Sequence, residues 1–243
     1  MTSAVRSFSN AAPQYDANAS LQRRVAEDLA AACDVRAGQI ILDIGTGTGV
    51  LLDLLRAREP GGFYVGVDAA PGMLTRAAGA RVQGDLMRLP FSGGSVTRVV
   101  SASCYQWASD LPLAFVEARR ILKDGGRFQA ALFTQGTLRE FRAAIASAAP
   151  SQAAWMRVLP SGEETGAALA AAGFTSFDFR TGVHYQAFAS VQEAWRWLRS
   201  VGANASGKPV VIGREALSRA EAYYTEHGDG KMTFEVMYID AQK

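Results

Sequence analysis

The stretch ILDIGTGTGV, residues 41–50, constrains the fold more than any other part of the sequence. A short apolar run from Ile40 to Ile44 leads directly into glycines at positions 45, 47 and 49. Apolar runs of this length that end at glycines are typical of buried strands. Glycine has no Cβ atom, so it lets the backbone approach another molecule closely. The stretch therefore predicts a buried strand that turns into a helix beside a ligand; the alternative is a tight turn without one.

The same order of strand and helix continues through the first half of the chain. Strands are predicted at 40–44, 63–68, 80–85, 95–103 and 127–133, and helices at 20–33, 50–58, 112–122 and from Pro71 onwards. Such alternation is typical of a parallel sheet covered by helices on both faces. In the second half, helices are predicted at 137–149, 163–172, 190–201 and 213–226, and strands at 174–188 and 231–243.

The composition limits the partners and the compartment that we expect. The 25 basic and 23 acidic residues nearly balance, so neither nucleic acid nor a membrane surface is expected as the main partner. The sequence has no apolar run of about 18 residues and no signal-peptide pattern. Its two cysteines lie far apart and its two histidines lack a zinc-binding spacing, so neither a disulfide framework nor a metal site is expected. We expect a soluble cytoplasmic protein.

Acidic residues stand at the ends of three predicted strands, where open α/β sheets bind their ligands. Asp68 could accept both hydroxyls of a ribose. Asp85 could accept the exocyclic amine of an adenine, beside the N–H group and apolar edge of Leu86. Asp43 could support the glycine turn or reach an amino group. The glycine spacing is one residue shorter than the dinucleotide fingerprint, and no G-K-[ST] follows, so a nicotinamide dinucleotide or a P-loop phosphate is not favoured.

The order of LDIGTGTG, VGVD, QGDLMRLPF and LKDGGR resembles class I S-adenosylmethionine-dependent methyltransferases. The resemblance implies a Rossmann-like α/β fold: a seven-stranded, mostly parallel sheet whose last strand is antiparallel, helices on both faces and a helical lid. It also implies S-adenosylmethionine as cofactor, with Asp68 on the ribose and Asp85 with Leu86 on the adenine. The residues that it places beside the amino-acid part or elsewhere along the cofactor are Asp43, Gly45, Thr46, Gly47, Gly49, Ala69, Met73 and Ala102. No side-chain role is expected for Ala102.

Segments outside this core are similar to one family, the malonyl-acyl-carrier-protein O-methyltransferases of the biotin pathway. They are FSNAAPQYDANASLQRRVAEDL, SCYQWASDLPLAFVEARRILKDGGRF, WLRSVGANA and MTFEVMYIDA. The similarity implies methylation of the free carboxyl of a malonyl thioester, carried by acyl-carrier protein or coenzyme A, with Tyr15 and Gln106 on the acceptor side. Cys104 and Tyr105 depart from the pattern and could narrow the acceptor pocket.

The resemblance also divides the single expected domain into parts. We expect an N-terminal helical cap at 1–36 and a cofactor-binding core at 37–135. Acceptor-side helices and the sixth strand follow at 136–230, and the final strand occupies 231–243.

A malonyl carboxylate needs no general base, because it is ionised near pH 7. It does need recognition, for which an arginine fork is suited. Candidates are Arg139, Arg142, Arg196 and Arg199, and the sequence does not decide among them; Arg199 is counted with Tyr15 and Gln106 as an expected catalytic residue. The alternatives are another small-molecule methyltransferase acting on a carboxylic acid or a quinone-type carbon, and a non-catalytic cofactor-binding protein.

Overall fold

The computed structural model describes residues 2–153, 156–203 and 212–243. One seven-stranded sheet forms its centre. The strands are β1 (Ile40–Ile44), β2 (Phe63–Asp68), β3 (Ala80–Gln83), β4 (Val96–Ala102), β5 (Leu122–Phe133), β6 (Ser176–Ala187) and β7 (Lys231–Gln242). Their order across the sheet is β3-β2-β1-β4-β5-β7-β6. The pairs among β1 to β5 are parallel, whereas β7 is antiparallel to both β5 and β6, as predicted.

Helices cover the sheet. They are α1 (Ser3–Ala11), α2 (Tyr15–Asn18), α3 (Ser20–Ala32), α4 (Val50–Arg58), α5 (Pro71–Leu74), α6 (Leu111–Ile121), α7 (Arg139–Ala148), α8 (Pro150–Ala153), α9 (Gly162–Ala171), α10 (Val191–Ser200) and α11 (Arg214–His227). Short 3₁₀ turns occupy Ala12–Gln14 and Tyr105–Trp107. None of the described helices is long and apolar enough to cross a membrane.

Both faces of the central strands are buried, which explains the unbroken apolar run of β1. Successive side chains of a strand point to opposite faces. Ile41 belongs to the apolar cluster under α3, α4 and α7, while Leu42 and Ile44 belong to the cluster under α6 and α9. An alternating pattern would have left one face in water, so the continuous run predicts the two-sided cover correctly.

The lengths of two strands differ from those expected. β3 ends at Gln83, two residues before the predicted end, and β5 begins at Leu122 instead of 127. In β5 the additional residues include Gly125 with a φ of +75°, a turn-like conformation that pattern analysis does not assign to a strand. The carboxyl end of β5 is where it was predicted, whereas β3 ends earlier, so Asp85 follows that strand and is not part of it.

Candidate active site

The glycine loop after β1 is held against the end of β2. The N–H groups of Gly45 and Thr46 both donate to the Val67 carbonyl, at 2.7 and 2.9 Å. All three glycines of the loop have left-handed φ angles, 74° at Gly45, 56° at Gly47 and 94° at Gly49. A Cβ atom on Gly45 would lie 2.3 Å from the Cys104 sulfur. Glycine is therefore required at position 45 by the protein's own packing, and not only by the close approach of a ligand.

Asp68 is fixed by the backbone around it. Its Oδ2 accepts the N–H of Gly47 at 2.9 Å, and its Oδ1 accepts the N–H of Ala70 at 2.8 Å. Burial raises the pKa of Asp68, and these two N–H groups oppose the rise because they stabilise the charged form. The carboxylate thus has one orientation, with lone pairs remaining for a ligand.

A cavity of about 470 Å³ lies at the carboxyl ends of β1, β2 and β4. We call it the cofactor cavity. Most of the residues predicted for the cofactor line it, namely Gly45, Gly47, Asp68, Ala69, Met73, Asp85, Leu86 and Ala102. Gly49 does not line it, because it serves as the N-cap residue of α4. The structure therefore brings together acids and glycines that lie between Gly45 and Asp85 in the sequence.

Asp43 and Thr46 line a smaller cavity of about 50 Å³, which also borders Gly45, Gly47 and Tyr15. Asp43 is 1% exposed, and neither of its carboxylate oxygens has a hydrogen-bond partner among the described residues. The hydroxyl of Thr46 is also without one. Burial raises the pKa of Asp43 to about 7. Buried polar atoms without partners are costly, so this group fits the amino end of the predicted cofactor, which would supply the missing donors.

A third cavity, of about 120 Å³, opens beside the cofactor cavity. We call it the acceptor cavity. Tyr15, Ser103, Trp107 and Arg157 line both cavities. The remaining walls are largely apolar and include the aromatic side chains Phe133, Trp195, Trp197 and Phe234. Phe8 and Met156 line both cavities as well. The cavities therefore meet at a junction of polar and apolar side chains, which is the geometry required for transfer of a group from one ligand to another.

Two half-buried arginines line the acceptor cavity. Arg157 donates from Nε to the Gln106 carbonyl at 2.9 Å and from Nη2 to the Ala108 carbonyl at 2.8 Å. Arg142 donates from Nη2 to the Arg157 carbonyl at 2.7 Å. Burial lowers the pKa of both guanidinium groups, and neither forms an ion pair within the described parts of the chain. The cavity therefore lacks an anion that would balance its two cations.

Comparison with known proteins places the chain in a family. Residues 42–130 match a family model described as a methyltransferase domain. A malonyl-[acyl-carrier protein] O-methyltransferase from Herminiimonas arsenicoxydans is 31% identical over 249 residues, which cover 98% of this chain and 94% of that protein. The chain belongs to the malonyl-[acyl-carrier protein] O-methyltransferase family. A second member, from Geobacter sulfurreducens, is 34% identical over 261 residues, covering 95% of this chain and 94% of its own length.

The fold comparison agrees with this family. A SAM-dependent methyltransferase of Thermotoga maritima superposes with a TM-score of 0.60 over 98% of this chain and 99% of its own, at 19% identity. The predictions of a methyltransferase, of its Rossmann-like fold and of its family are confirmed.

Tyr15 of this methyltransferase stands where the cavities meet. It lines the cofactor cavity, the acceptor cavity and the small cavity beside Asp43. Burial and the nearby Asp68 raise its pKa, so its hydroxyl remains protonated and can donate. Gln106 lines the acceptor cavity, where its Nε2 donates to the Ser103 carbonyl at 2.8 Å and its buried Oε1 has no partner among the described residues.

Two acceptor-side expectations differ from the structure. Arg199 is exposed on α10 and lines none of the described cavities, because Val191, Ala194 and Leu198 form the buried face of that helix. Tyr105 does not narrow the acceptor cavity; it is buried in the core and stacks on Phe115 with ring centroids 5.0 Å apart.

Helix α1 lies over the junction of the two cavities, as the predicted lid requires. Thr2 to Val5 and Phe8 line the cofactor cavity, and Phe8 contacts Trp107 edge to face at 5.1 Å. The helix packs closely against Gly72, which follows β2, and against Gly202, which follows α10. A Cβ atom on Gly72 would lie 2.5 Å from the Ser9 carbonyl oxygen, and one on Gly202 would lie 2.9 Å from the Phe8 ring. The N-terminal helix therefore covers the site.

Proposed function

We propose that this enzyme transfers a methyl group from S-adenosylmethionine to the free carboxylate of malonyl-acyl-carrier protein, a step in the synthesis of a biotin precursor. The observation that carries the proposal is the pair of half-buried arginines without acidic partners, in a cavity that opens onto the cofactor cavity. An acceptor carboxylate would balance one of these two charges. The names of the relatives support the same substrate.

The cofactor cavity, together with the small cavity beside Asp43, suits S-adenosylmethionine along its whole length. Asp68 would accept the ribose hydroxyls, Asp85 and Leu86 would hold the adenine, and Asp43 would accept the amino group. When bound, this cofactor supplies a methyl group on a positively charged sulfur. Gly47 leaves room for it, since a Cβ atom at this position would point into open space.

The protein's part in the reaction is to bind, orient and desolvate the acceptor. The carboxylate is already ionised at neutral pH, so no residue has to remove a proton. Arg157 would hold it where the cavities meet, and the Tyr15 hydroxyl would donate to the oxygen that does not attack. Exclusion of water by α1 and the aromatic walls makes the anion more reactive, and positioning supplies much of the remaining acceleration.

The direct test is incubation of the enzyme with methyl-labelled S-adenosylmethionine and either malonyl-acyl-carrier protein or malonyl-coenzyme A. Mass spectrometry should find a methyl ester on the malonyl group. The aromatic walls of the acceptor cavity also suit a flat acceptor, so a quinol should be included. Methylation of the quinol with none of the malonyl thioesters would contradict the proposal.

The proposed reaction carries two further expectations. Its carrier belongs to fatty-acid synthesis, so we propose that the enzyme works in the cytoplasm. We also propose that the chain acts as one domain with the parts 1–36, 37–135, 136–230 and 231–243, in which the cap and the acceptor-side helices enclose the cofactor-binding core.

Replacement of Tyr15 by phenylalanine tests whether the Tyr15 hydroxyl contacts the acceptor where the two cavities meet. The variant should lose turnover while its affinity for S-adenosylmethionine stays nearly unchanged, because only the hydroxyl that contacts the acceptor is removed. Steady-state rates and calorimetry measure the two effects separately. Turnover equal to that of the parent would mean that Tyr15 contributes only packing.

Docking of the acidic carrier protein is expected on the basic segment from Arg196 to Arg219. Lys208 of this segment lies outside the described residues, but Arg199 is exposed on α10. Arg199→Glu should raise the apparent KM for malonyl-acyl-carrier protein, most strongly at low salt, because exposed charges are screened over about 10 Å at 0.1 M. Malonyl-coenzyme A should be affected much less.

The matched control for carrier docking is Lys123→Glu, the same charge change on an exposed residue of β5 away from the carboxyl ends of the strands. It should leave both KM values unchanged. Losses in the Arg199 variant that are equal for both substrates and independent of salt would exclude docking on this surface.

A further inference from the structure

The acceptor cavity holds two cations, although a single carboxylate needs only one. Building on the proposed function, we infer that Arg157 binds the carboxylate and that Arg142 binds the thioester carbonyl of the same malonyl group. Arg142 is then a specificity-determining residue, which distinguishes a malonyl thioester from a carboxylic acid that lacks the second carbonyl.

The positions of the two cavities indicate which arginine binds the carboxylate and which binds the thioester carbonyl. The attacking carboxylate oxygen has to come within about 3 Å of the methyl group, so the carboxylate lies where the acceptor cavity meets the cofactor cavity. Arg157 lines both cavities, whereas Arg142 lines only the acceptor cavity. Arg142 is therefore placed to contact a group that lies farther from the cofactor than the carboxylate does.

The side chain of Arg142 is held in that place by its backbone contacts. Its Nε donates to the Thr137 carbonyl at 3.3 Å and its Nη2 to the Arg157 carbonyl at 2.7 Å. Thr137 is fixed in turn, since its hydroxyl donates to the Glu235 carbonyl at 2.9 Å. Arg142 lies on α7, and its guanidinium group contacts the backbone of Arg157. The two hydrogen bonds fix the orientation of this group.

Each arginine keeps one nitrogen for a ligand. Nε and Nη2 are occupied in both side chains, and Nη1 of each has no hydrogen-bond partner within residues 2–153, 156–203 and 212–243. In a malonyl thioester a single methylene separates the carboxylate from the thioester carbonyl. Because Arg142 is hydrogen-bonded to the Arg157 carbonyl, two free N–H groups on neighbouring side chains are available for two oxygens that are so closely linked.

A hydrogen bond from a half-buried cation to a carbonyl distinguishes substrates strongly. A site built to bind such an oxygen rejects an analogue without it, because the donor is then left unpaired. An apolar wall in place of Arg142 would accept both compounds about equally.

The test compares two acceptors on the same carrier protein. One is the malonyl thioester, and the other is the S-(2-carboxyethyl) thioether, which keeps the carboxylate and the chain length but lacks the carbonyl. The parent enzyme should methylate the thioester with a kcat/KM about 10-fold or more above that of the thioether, the effect expected of one charged hydrogen bond. Methyl esters are quantified by mass spectrometry.

Arg142→Met should remove this preference by lowering kcat/KM for the thioester alone. Arg157→Met should lower kcat/KM for both acceptors by the same factor. Arg142→Lys keeps the charge and one donor, so it should retain part of the preference if the methionine variant folds poorly. Melting temperature and cofactor affinity are measured for each variant, because damage to the fold would reduce activity on both acceptors.

Equal losses on the two acceptors in the Arg142 variants would overturn the inference, since Arg142 would then act only through the position of Arg157. A parent enzyme that does not distinguish the two acceptors would also overturn it. A parent that binds S-adenosylmethionine but methylates neither would overturn the proposed function, and the inference with it.

Discussion

Asp68→Ala should weaken S-adenosylmethionine binding by about 2 kcal/mol or more, or roughly 30-fold in Kd, because two ribose hydroxyls lose a charged acceptor. The variant also leaves the N–H groups of Gly47 and Ala70 without the carboxylate that orders them. Isothermal titration calorimetry measures the affinity directly.

Two variants separate the causes of the Asp68 effect. Asp68→Asn retains the size and one acceptor oxygen, so its loss should be smaller than that of the alanine variant. Asp178→Ala removes an exposed carboxylate on β6, which lines none of the described cavities, and should bind normally. Unchanged affinity in Asp68→Ala would refute the assignment of this residue to the cofactor.

Arg157→Met should reduce kcat/KM for malonyl-acyl-carrier protein by about 100-fold, the loss expected when a buried carboxylate loses a charged donor. Cofactor affinity should change little, because the proposed contact is with the acceptor. Steady-state kinetics with both malonyl carriers measures the first quantity and calorimetry the second.

Arg199→Met is the matched control for Arg157→Met, since it removes an arginine that is exposed and outside the cavities. With malonyl-coenzyme A, which needs no protein docking, this control should act as the parent does. The opposite result, in which Arg199→Met loses activity and Arg157→Met keeps it, would show that Arg199 and not Arg157 binds the carboxylate.

The acids and glycines that line the cofactor cavity could be predicted because they follow from local sequence, whereas Ala69, Met73 and Ala102 were expected only from the family resemblance. Asp68 ends an apolar run, and the end of a parallel strand has only one place in the fold. The same reasoning places Asp85 and the glycines 45 and 47. Nothing local, however, indicated that Cys104 occupies the space beside Gly45, because the two residues are brought together only by the pairing of neighbouring strands.

Arg157 could not be identified from the sequence, because it lies in the irregular stretch MRVLP between two helices and has no periodic neighbours. Its hydrogen-bond partners are about 50 residues earlier in the chain. Arg199 was assigned on its spacing from Arg196 alone. The apolar spacing of Val191, Ala194 and Leu198 already placed both arginines on the solvent side of α10.

The position of β7 has a consequence for how the protein is made. β6 pairs with no strand other than β7 among the described residues, and β7 follows the six other strands in the chain. The strands β1 to β5 can pair as soon as they leave the ribosome. Their pairing brings together the acids and glycines of the cofactor cavity. The acceptor cavity is completed only when residues 231–242 have been made, because β7 supplies Phe234 to its wall and is the strand with which β6 pairs. During synthesis the two halves of the active site therefore form at different times, and the aromatic walls of the acceptor cavity are the surface that remains exposed during the interval.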